Sequence, residues 1–220
     1  MILAIDTTHE FGSIALLADG ELLEELPLRA EDGFGHILYG HLSGILDRHG
    51  HSLQDIECFA AASGPGSFTG VRVGLACVKG LAEASGKPVV AVSNLQALAT
   101  FGTGPVRATV LDARRGEIYG GVYDAQWNLV QPEIVMPFPR WLDTLPAGPV
   151  EFISPCFEPF LPDLAGLRFA DAARVEAPQA LAGAVARIAH ARYCQGLAID
   201  PAEADANYVR RSDAELLWRR

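Results

Sequence analysis

A glycine-rich string at residues 63–74, SGPGSFTGVRVG, separates the apolar run Phe59-Ala60-Ala61-Ala62 from a long apolar helix pattern. An α/β protein carries its working loop at such a place. Glycines there permit positive φ and close approach of a ligand or another backbone, and the N–H groups that open the helix tolerate an anion. Spacing excludes two common nucleotide motifs. A Walker A loop needs Lys and then Ser or Thr after its last glycine, to hold phosphate and metal, whereas Gly70 is followed by Val71 and Arg72. A dinucleotide fingerprint needs GxGxxG and a ribose-binding acid roughly 20 residues on. Here the spacing is GxGxxxG, and the next apolar run ends in Val92-Ser93 with no acid. Ser67 has no Gly-x-Ser-x-Gly elbow around it, which sets peptidase chemistry aside. His36, His41, His49 and His51 fall within sixteen positions, but His36 and His41 are five apart, and they diverge by about 140° on a helix. They read as surface or core histidines. Asp112, Arg114, Arg115 and Glu117 concentrate charge at one turn. Two readings stay open there: a turn salt bridge worth under about 1 kcal/mol, or polar contact across a cleft or to a partner.

The elements that position these residues follow from periodicity. Residues 2–6, 13–18 and 21–28 read as a three-stranded meander with Asp19-Gly20 as its hairpin turn. A helix over about 36–49, a strand at 58–62, the glycine loop, a helix over about 69–85, a strand at 89–92 and a short helix from Asn94 come next. Residues 102–105, GTGP, make the best linker. Beyond it the opening recurs: residues 107–112, a turn at 113–116, 117–123, Asp124-Ala125 and 127–135 repeat the strand, Asp, turn, strand, turn, strand order. Asp6 to Asp19 is thirteen residues and Asp112 to Asp124 is twelve. After a Pro-rich stretch at 132–162, one firm helix covers about 178–194. A duplicated meander with helices predicts two similar α/β lobes: residues 1–104, and a smaller second lobe at 105–220 whose C-terminal tail can pack back on the first.

With 220 residues, half of them hydrophobic, roughly 70% of the unfolded surface can be buried. The formal charge of −10 argues against independent binding to a polyanion, because phosphate contacts need clustered Lys and Arg. The basic tail, Arg210, Arg211, Arg219 and Arg220, reads as a solvated terminus, or as an RNA contact within a larger complex. The apolar start is broken by Asp6, and no run approaches the ~18 apolar residues of a membrane helix. The expectation is a soluble, cytoplasmic protein without membrane partners. Cys58, Cys77, Cys156 and Cys194 lack CxxC spacing and are expected to be reduced core residues.

The two helices of the first lobe have a composition that needs a reason. Over residues 69–85 the charges Arg72, Lys79 and Glu83 make one narrow stripe and nearly everything else is apolar or small. A helix lying on a sheet should be wet over half its girth. Gly70, Gly74 and Gly80 cost about 1 kcal/mol each against Ala within a helix, which makes sense where another helix must come close. The preceding helix offers Gly40 and Gly44 beside Leu38, Leu42, Ile45 and Leu46. Either the two helices pack on each other and on the sheet, or an arc of Leu38, Gly40, Leu42, Gly44, Ile45, Gly70, Val71, Gly74 and Val78 meets another protein.

Residues 63–74, the opening Ile2-Leu3-Ala4-Ile5-Asp6-Thr7-Thr8 and the string LDARRGEIY at 111–119 together resemble the TsaB (YeaZ) family. The match is close to about residue 124, and Tyr208-Val209-Arg210 resembles that family's terminal YLR. The resemblance implies a two-lobed actin-like, or ribonuclease H-like ATPase (ASKHA), fold. It implies a non-catalytic accessory subunit for making threonylcarbamoyladenosine in tRNA, which pairs through its first lobe with the metal-bearing TsaD subunit; if the apolar arc forms that surface, the chain alone should cover it by homodimerising. With the ATPase TsaE, that complex transfers the threonylcarbamoyl group from its adenylate to N6 of adenosine 37, and tRNA is met only through the complex. TsaD carries two metal-binding histidines four apart; the matching positions here are Asn94 and Leu98, and leucine cannot ligate a metal. No cofactor is implied beyond weak or shared nucleotide binding. In an actin-like lobe Asp6, Thr7 and Thr8, with Asp112 in the second copy, would mark a vestigial phosphate site. The chain departs there from Asp-x-Gly-Thr, and a threonine crowds a loop meant for phosphate. The alternative is that Asp6 and Thr7 hydrogen-bond their own turn. The runner-up function is a small ATP-dependent phosphotransferase of the same superfamily.

Overall fold

The computed structural model describes residues 1–29, 33–164 and 169–210. The strands β1 (Ile2–Asp6), β2 (Phe11–Ala18) and β3 (Glu21–Arg29) form the expected antiparallel meander. At its hairpin Asp19 and Gly20 have φ of 52° and 85°, the two-residue turn that Asp-Gly favours. The chain continues through α1 (Leu38–Arg48), β4 (Cys58–Ala62), α2 (Phe68–Ser85), β5 (Val89–Val92) and α3 (Asn94–Ala99). Because β4 pairs parallel with β1 and β5 with β4, the sheet runs β3-β2-β1-β4-β5. Its central strands are covered on both faces, which is why β1 and β4 are continuous apolar runs. Leu3, Ile5, Ile14, Leu16, Phe59 and Ala61 share one core with Leu42 and Ile45 of α1 and Leu75 and Val78 of α2.

The second sheet is built from β6 (Val106–Arg114), β7 (Glu117–Asp124), β8 (Leu129–Met136), β9 (Glu151–Ser154) and β10 (Arg174–Glu176), with the short helices α4 (Phe138–Leu142) and α5 (Leu161–Leu164) between them. Its order, β10-β9-β6-β7-β8, is the first sheet's order strand for strand. Phe138, Trp141, Phe152, Phe160 and Phe169 fill its core, with the Phe138 and Phe160 rings 4.9 Å apart and Phe152 and Phe169 edge to face at 5.3 Å. Two sheets repeating one strand order are the duplicated ribonuclease H-like plan of the actin-like superfamily.

The lobe boundaries differ from the expectation of 1–104 and 105–220. One unit comprises residues 1–97 and 179–207, and the other residues 98–178 and 208–220. The helix expected in the second lobe, α6 (Ala182–Cys194), packs instead on β1, β2, β4 and β5. Small residues allow that approach: Ala182, Ala184, Ala186 and Ala189 of α6 and Ala4, Ala15 and Ala60 of the sheet are all buried. The start of α6 is capped from β3, where Glu25 Oε1 accepts from Gly183 N (2.9 Å) and Ser13 Oγ (3.0 Å), while Ser13 Oγ accepts from Ala182 N (2.9 Å). The expected linker is likewise built into a unit. Thr103 N and Gly104 N donate to buried Glu151 Oε2 at 2.8 and 2.9 Å, and the buried Arg107 guanidinium donates to the carbonyls of Ala99 and Gly104.

Of the four cysteines, Cys58 and Cys77 are core residues as expected, whereas Cys156 and Cys194 are exposed. An apolar sequence neighbourhood misleads for these two. Cys156 follows the end of β9, and Cys194 is the last residue of α6. No helix among the described residues is long and apolar enough to cross a membrane.

Candidate functional site

The glycine loop and the turn after β1 are closed on each other by a ladder of hydrogen bonds. Asp6 is fully buried, and its Oδ1 accepts from Thr8 N (2.9 Å) and Thr8 Oγ1 (2.6 Å). Thr8 Oγ1 accepts in turn from Asn94 Nδ2 (2.6 Å), and Asn94 Oδ1 accepts from Gly64 N (3.0 Å). Asn94 N donates back to Gly64 O (2.9 Å), so one amide residue at the start of α3 pins the loop through both its backbone and its side chain. Further along, Ser67 N donates to Thr8 O (2.7 Å), Gly70 N to Ser67 Oγ (3.2 Å), and Thr7 Oγ1 to Gly70 O (2.7 Å). From the C-terminal side of the same unit, Asn207 N donates to Ser63 O (2.8 Å).

This geometry decides how the string 63–74 is used. Phosphate cradles need inward-pointing N–H groups with room above them. Here the N–H groups of Gly64, Ser67 and Gly70 are consumed internally, and a Cβ on Gly66 would stand 2.9 Å from the Cβ of Thr8. These three N–H groups and the space above Gly66 are thus taken up by the chain's own residues. Asp6 bonds its own turn, as one of the two readings expected, but Thr7 reaches across to α2 instead. Asp6 Oδ2 is the single buried side-chain oxygen or nitrogen without a hydrogen-bond partner among the described residues.

The arc expected to face a partner is largely occupied by the chain itself. Leu38, Leu42, Ile45, Val71 and Val78 are between 0% and 4% exposed, inside the core of their own unit. The close neighbour of Gly70 and Gly74 is Thr7 rather than another helix. A Cβ at Gly74 would lie 2.6 Å from Thr7 Oγ1, and one at Gly70 would run into the Thr7 carbonyl oxygen. Gly40 and Gly80 have open space above them, and Gly44 meets only the guanidinium of Arg48. The exposed residues of α1 are Tyr39, Gly40, His41, Ser43, Asp47 and Arg48, and those of α2 are Phe68, Thr69, Arg72, Ala76, Gly80, Glu83 and Ala84. Tyr39 is 60% exposed.

Asn94 and Leu98 are both fully buried, and among the described residues no group of three or more His, Cys, Asp or Glu side chains is placed to hold a metal ion. His49 joins Arg48 on Glu24, whose carboxyl is held below its ordinary range mainly by the hydrogen bond from Arg48. The role of Asn94 was not legible as such: an Asn after a strand reads as a helix start, and its pairing with Thr8 spans 86 positions.

In the second unit, the charged turn makes its contacts within its own unit. Asp112 Oδ1 accepts from Arg114 N at 2.7 Å, and Glu117 pairs with Arg210, which also donates to Ala113 O (2.9 Å) and lies 5.6 Å from the centroid of Tyr119. Arg114, Arg115 and Gly116 have φ of 62°, 58° and 78°, and both arginines are exposed. The left-handed region costs a residue with a Cβ roughly 1–2 kcal/mol, so this hairpin tip is strained at two arginines. Arg210 is thus part of a fixed cluster rather than a solvated terminus, and Arg211, Arg219 and Arg220 lie outside the described residues.

Comparison with known proteins agrees with the fold and with the glycine loop. A family model described as "TsaD: tRNA N6-adenosine threonylcarbamoyltransferase" matches residues 26–152, more than half of the chain. The tRNA threonylcarbamoyladenosine biosynthesis protein TsaB of Escherichia coli is 37% identical over 148 residues, covering 61% of this chain and 64% of that protein. Its Bacillus subtilis counterpart is 32% identical over 149 residues, covering 66% and 65%. The crystal structure of YeaZ from Pseudomonas aeruginosa, 28% identical, superposes with a TM-score of 0.76 over 94% of this chain and 98% of that one. The chain belongs to this family, on its TsaB (YeaZ) branch. The matched region spans a little under two thirds of the two curated TsaB proteins' own length. YeaZ, by contrast, is covered almost end to end, so the TsaB branch and this chain share both units of the fold.

Proposed function

We propose that the chain is a non-catalytic scaffold subunit in tRNA threonylcarbamoyladenosine biosynthesis and that it pairs with the metal-bearing TsaD subunit. The observation that carries the reading is the self-closed loop. Asn94 takes up the Gly64 N–H and Thr8 crowds Gly66, where phosphate binding calls for open N–H groups, and Leu98 is the position that the resemblance pairs with a metal-binding histidine. A site filled by its own side chains still has a mechanical use, because the latch fixes the first turn of α2 against β1. That keeps the outward face of α1 and α2 in one shape, as a preorganised docking surface requires. The exposed Tyr39, followed by Gly40 and facing Cys77 of α2, suits an aromatic anchor for a partner. In this reading the same face supports homodimerisation when the chain is alone, TsaE joins the assembled complex, and tRNA is engaged only there. A small ATP-dependent phosphotransferase is the second reading, and the unpartnered Asp6 Oδ2 is the one observation in its favour.

The test is a mixing experiment with TsaD of the same organism. The lone chain should hold no stoichiometric Zn²⁺ or Fe²⁺ and should leave tRNA unmodified. The mixture with TsaD, TsaE, ATP, and a threonylcarbamoyl-adenylate source should form the modified nucleoside. One tightly held metal ion per lone chain, or phosphate transfer from ATP by the lone chain, overturns the reading.

A further inference from the structure

We propose that the β6–β7 hairpin tip, with Arg210 beside it, is a surface that binds RNA phosphates; the proposal rests on the reading of the chain as a subunit acting on tRNA. Two turns of one geometry in this molecule make the point. Asp19-Gly20 closes β2–β3 with the residues that a left-handed two-residue turn favours. Arg115-Gly116 closes β6–β7 with φ of 58° and 78°, and it is preceded by a further left-handed residue, Arg114, at 62°. Left-handed backbone is several-fold enriched in Asn and Asp, not in Arg. The fold makes the inexpensive turn elsewhere, so the side chains are what distinguishes this one. Strain of this kind collects at ligand contacts.

The surroundings favour a phosphate-bearing partner. Asp112 accepts from the backbone N–H of Arg114, and Glu117 pairs with the guanidinium of Arg210. Arg210 is fixed by the Ala113 carbonyl and stands near the Tyr119 ring, while Tyr208, two residues away, is 49% exposed. A two-residue turn gives Arg114 and Arg115 fixed positions. Guanidinium forks suit phosphate oxygens, and an exposed tyrosine close in sequence to Arg210 suits the splayed bases of an RNA loop. In a chain with a net charge of −10 such a surface adds to RNA affinity within a complex and does not hold RNA alone.

The experiment uses the complex of the full chain with TsaD and an unmodified transcript of an ANN-decoding tRNA, with affinity measured over a series of salt concentrations. The variant R114N/R115N puts residues suited to left-handed φ at both positions, so its melting temperature should be unchanged or raised and it should capture TsaD as the wild type does. Its affinity for the transcript should fall about tenfold at moderate salt, with the salt slope reduced by about 2, near one per lost phosphate contact. R114K/R115K should keep most of the slope. An R114N/R115N complex that binds the transcript with unchanged affinity and slope overturns the surface and leaves the proposed function intact. Loss of TsaD capture by this variant, or loss of affinity for ATP in place of RNA, also overturns it, by making the tip a protein contact or a nucleotide site. A wild-type chain that captures no TsaD overturns the proposed function and this proposal with it.

Discussion

Replacing Gly74 by Ala tests whether the glycines of α2 serve the chain's own latch. The added Cβ would stand 2.6 Å from Thr7 Oγ1, roughly 0.8 Å inside the ~3.4 Å of ordinary contact, and Thr7 is 1% exposed. Accommodating the methyl moves the hydroxyl off Gly70 O, with which it makes a 2.7 Å hydrogen bond. Losing that bond costs about 1 kcal/mol, and overpacking a filled site adds about 1–3 kcal/mol. Ala in place of Gly within the helix returns about 1 kcal/mol. The net expectation is a loss of about 1–3 kcal/mol. Thr7→Ala alone should cost about 1 kcal/mol, because it removes the bond and leaves the space. In the double variant the methyl enters the space the hydroxyl vacated, so the summed single losses should exceed the double loss by at least about 1 kcal/mol. Urea unfolding of the four proteins, monitored by circular dichroism, measures this cycle. Gly80→Ala is the control: nothing lies within 4 Å of its Cβ, so it should be additive with Thr7→Ala. Additivity at Gly74, or a Gly74→Ala protein as stable as the wild type, would refute the latch and return Gly74 to the list of partner contacts.

Two further outcomes are expected. Burial pushes the Cys58 thiol from 9.0 up to about 12; since the folded pKa is the raised one, this contribution is complete below about pH 9 and lost as pH rises toward 12, when the unfolded chain releases a proton that the folded chain keeps. Between pH 9 and 11 the wild type should therefore lose about 1.4 kcal/mol per pH unit more than Cys58→Ala, and parallel pH profiles in chemical denaturation would contradict the burial. Glu25→Ala removes the acceptor that Ser13 and Gly183 N share at the start of α6 and should destabilise by about 1–3 kcal/mol in urea, with Glu25→Gln about half as severe; a neutral Glu25→Ala would mean that α6 is held by packing alone.

The elements that were legible are those whose signals are local. Both meanders, the Asp19-Gly20 hairpin and α2 behind its glycine loop follow from alternation, turn chemistry and helical period. The repeat was visible because the two Asp spacings nearly coincide, and the structure extends it to a strand order shared by both sheets. The placement of α6 was not legible: chain order puts it after the second meander, and only the match of its alanines to Ala4, Ala15 and Ala60 across the first sheet explains where it packs. The glycines of α2 were ambiguous for a related reason. A small residue on a helix records that something comes close, but not what, and here the neighbour is Thr7, some 63 positions earlier. Exposure of Cys156 and Cys194 depends on where an element ends, which apolar composition does not mark.

Duplication of the sheet places one kind of turn, the connection from the first strand to the second, in two copies with different fates. In the first copy the carboxylate of Asp6 is turned inward onto Thr8, Asn94 closes over it, and the loop at 63–70 is drawn down against β1. Every polar group spent in that closure is unavailable to a ligand, and the return is a rigid first turn of α2. In the second copy Asp112 plays the corresponding local part, accepting from the backbone of Arg114, but it is exposed where Asp6 is buried. Its turn instead carries two exposed arginines in a conformation that disfavours them. A turn that only had to reverse the chain would lower its energy by replacing Arg114 and Arg115 with Asn. The two copies of this turn have therefore diverged: the first holds the start of α2 against β1, and the second carries two exposed arginines in left-handed backbone.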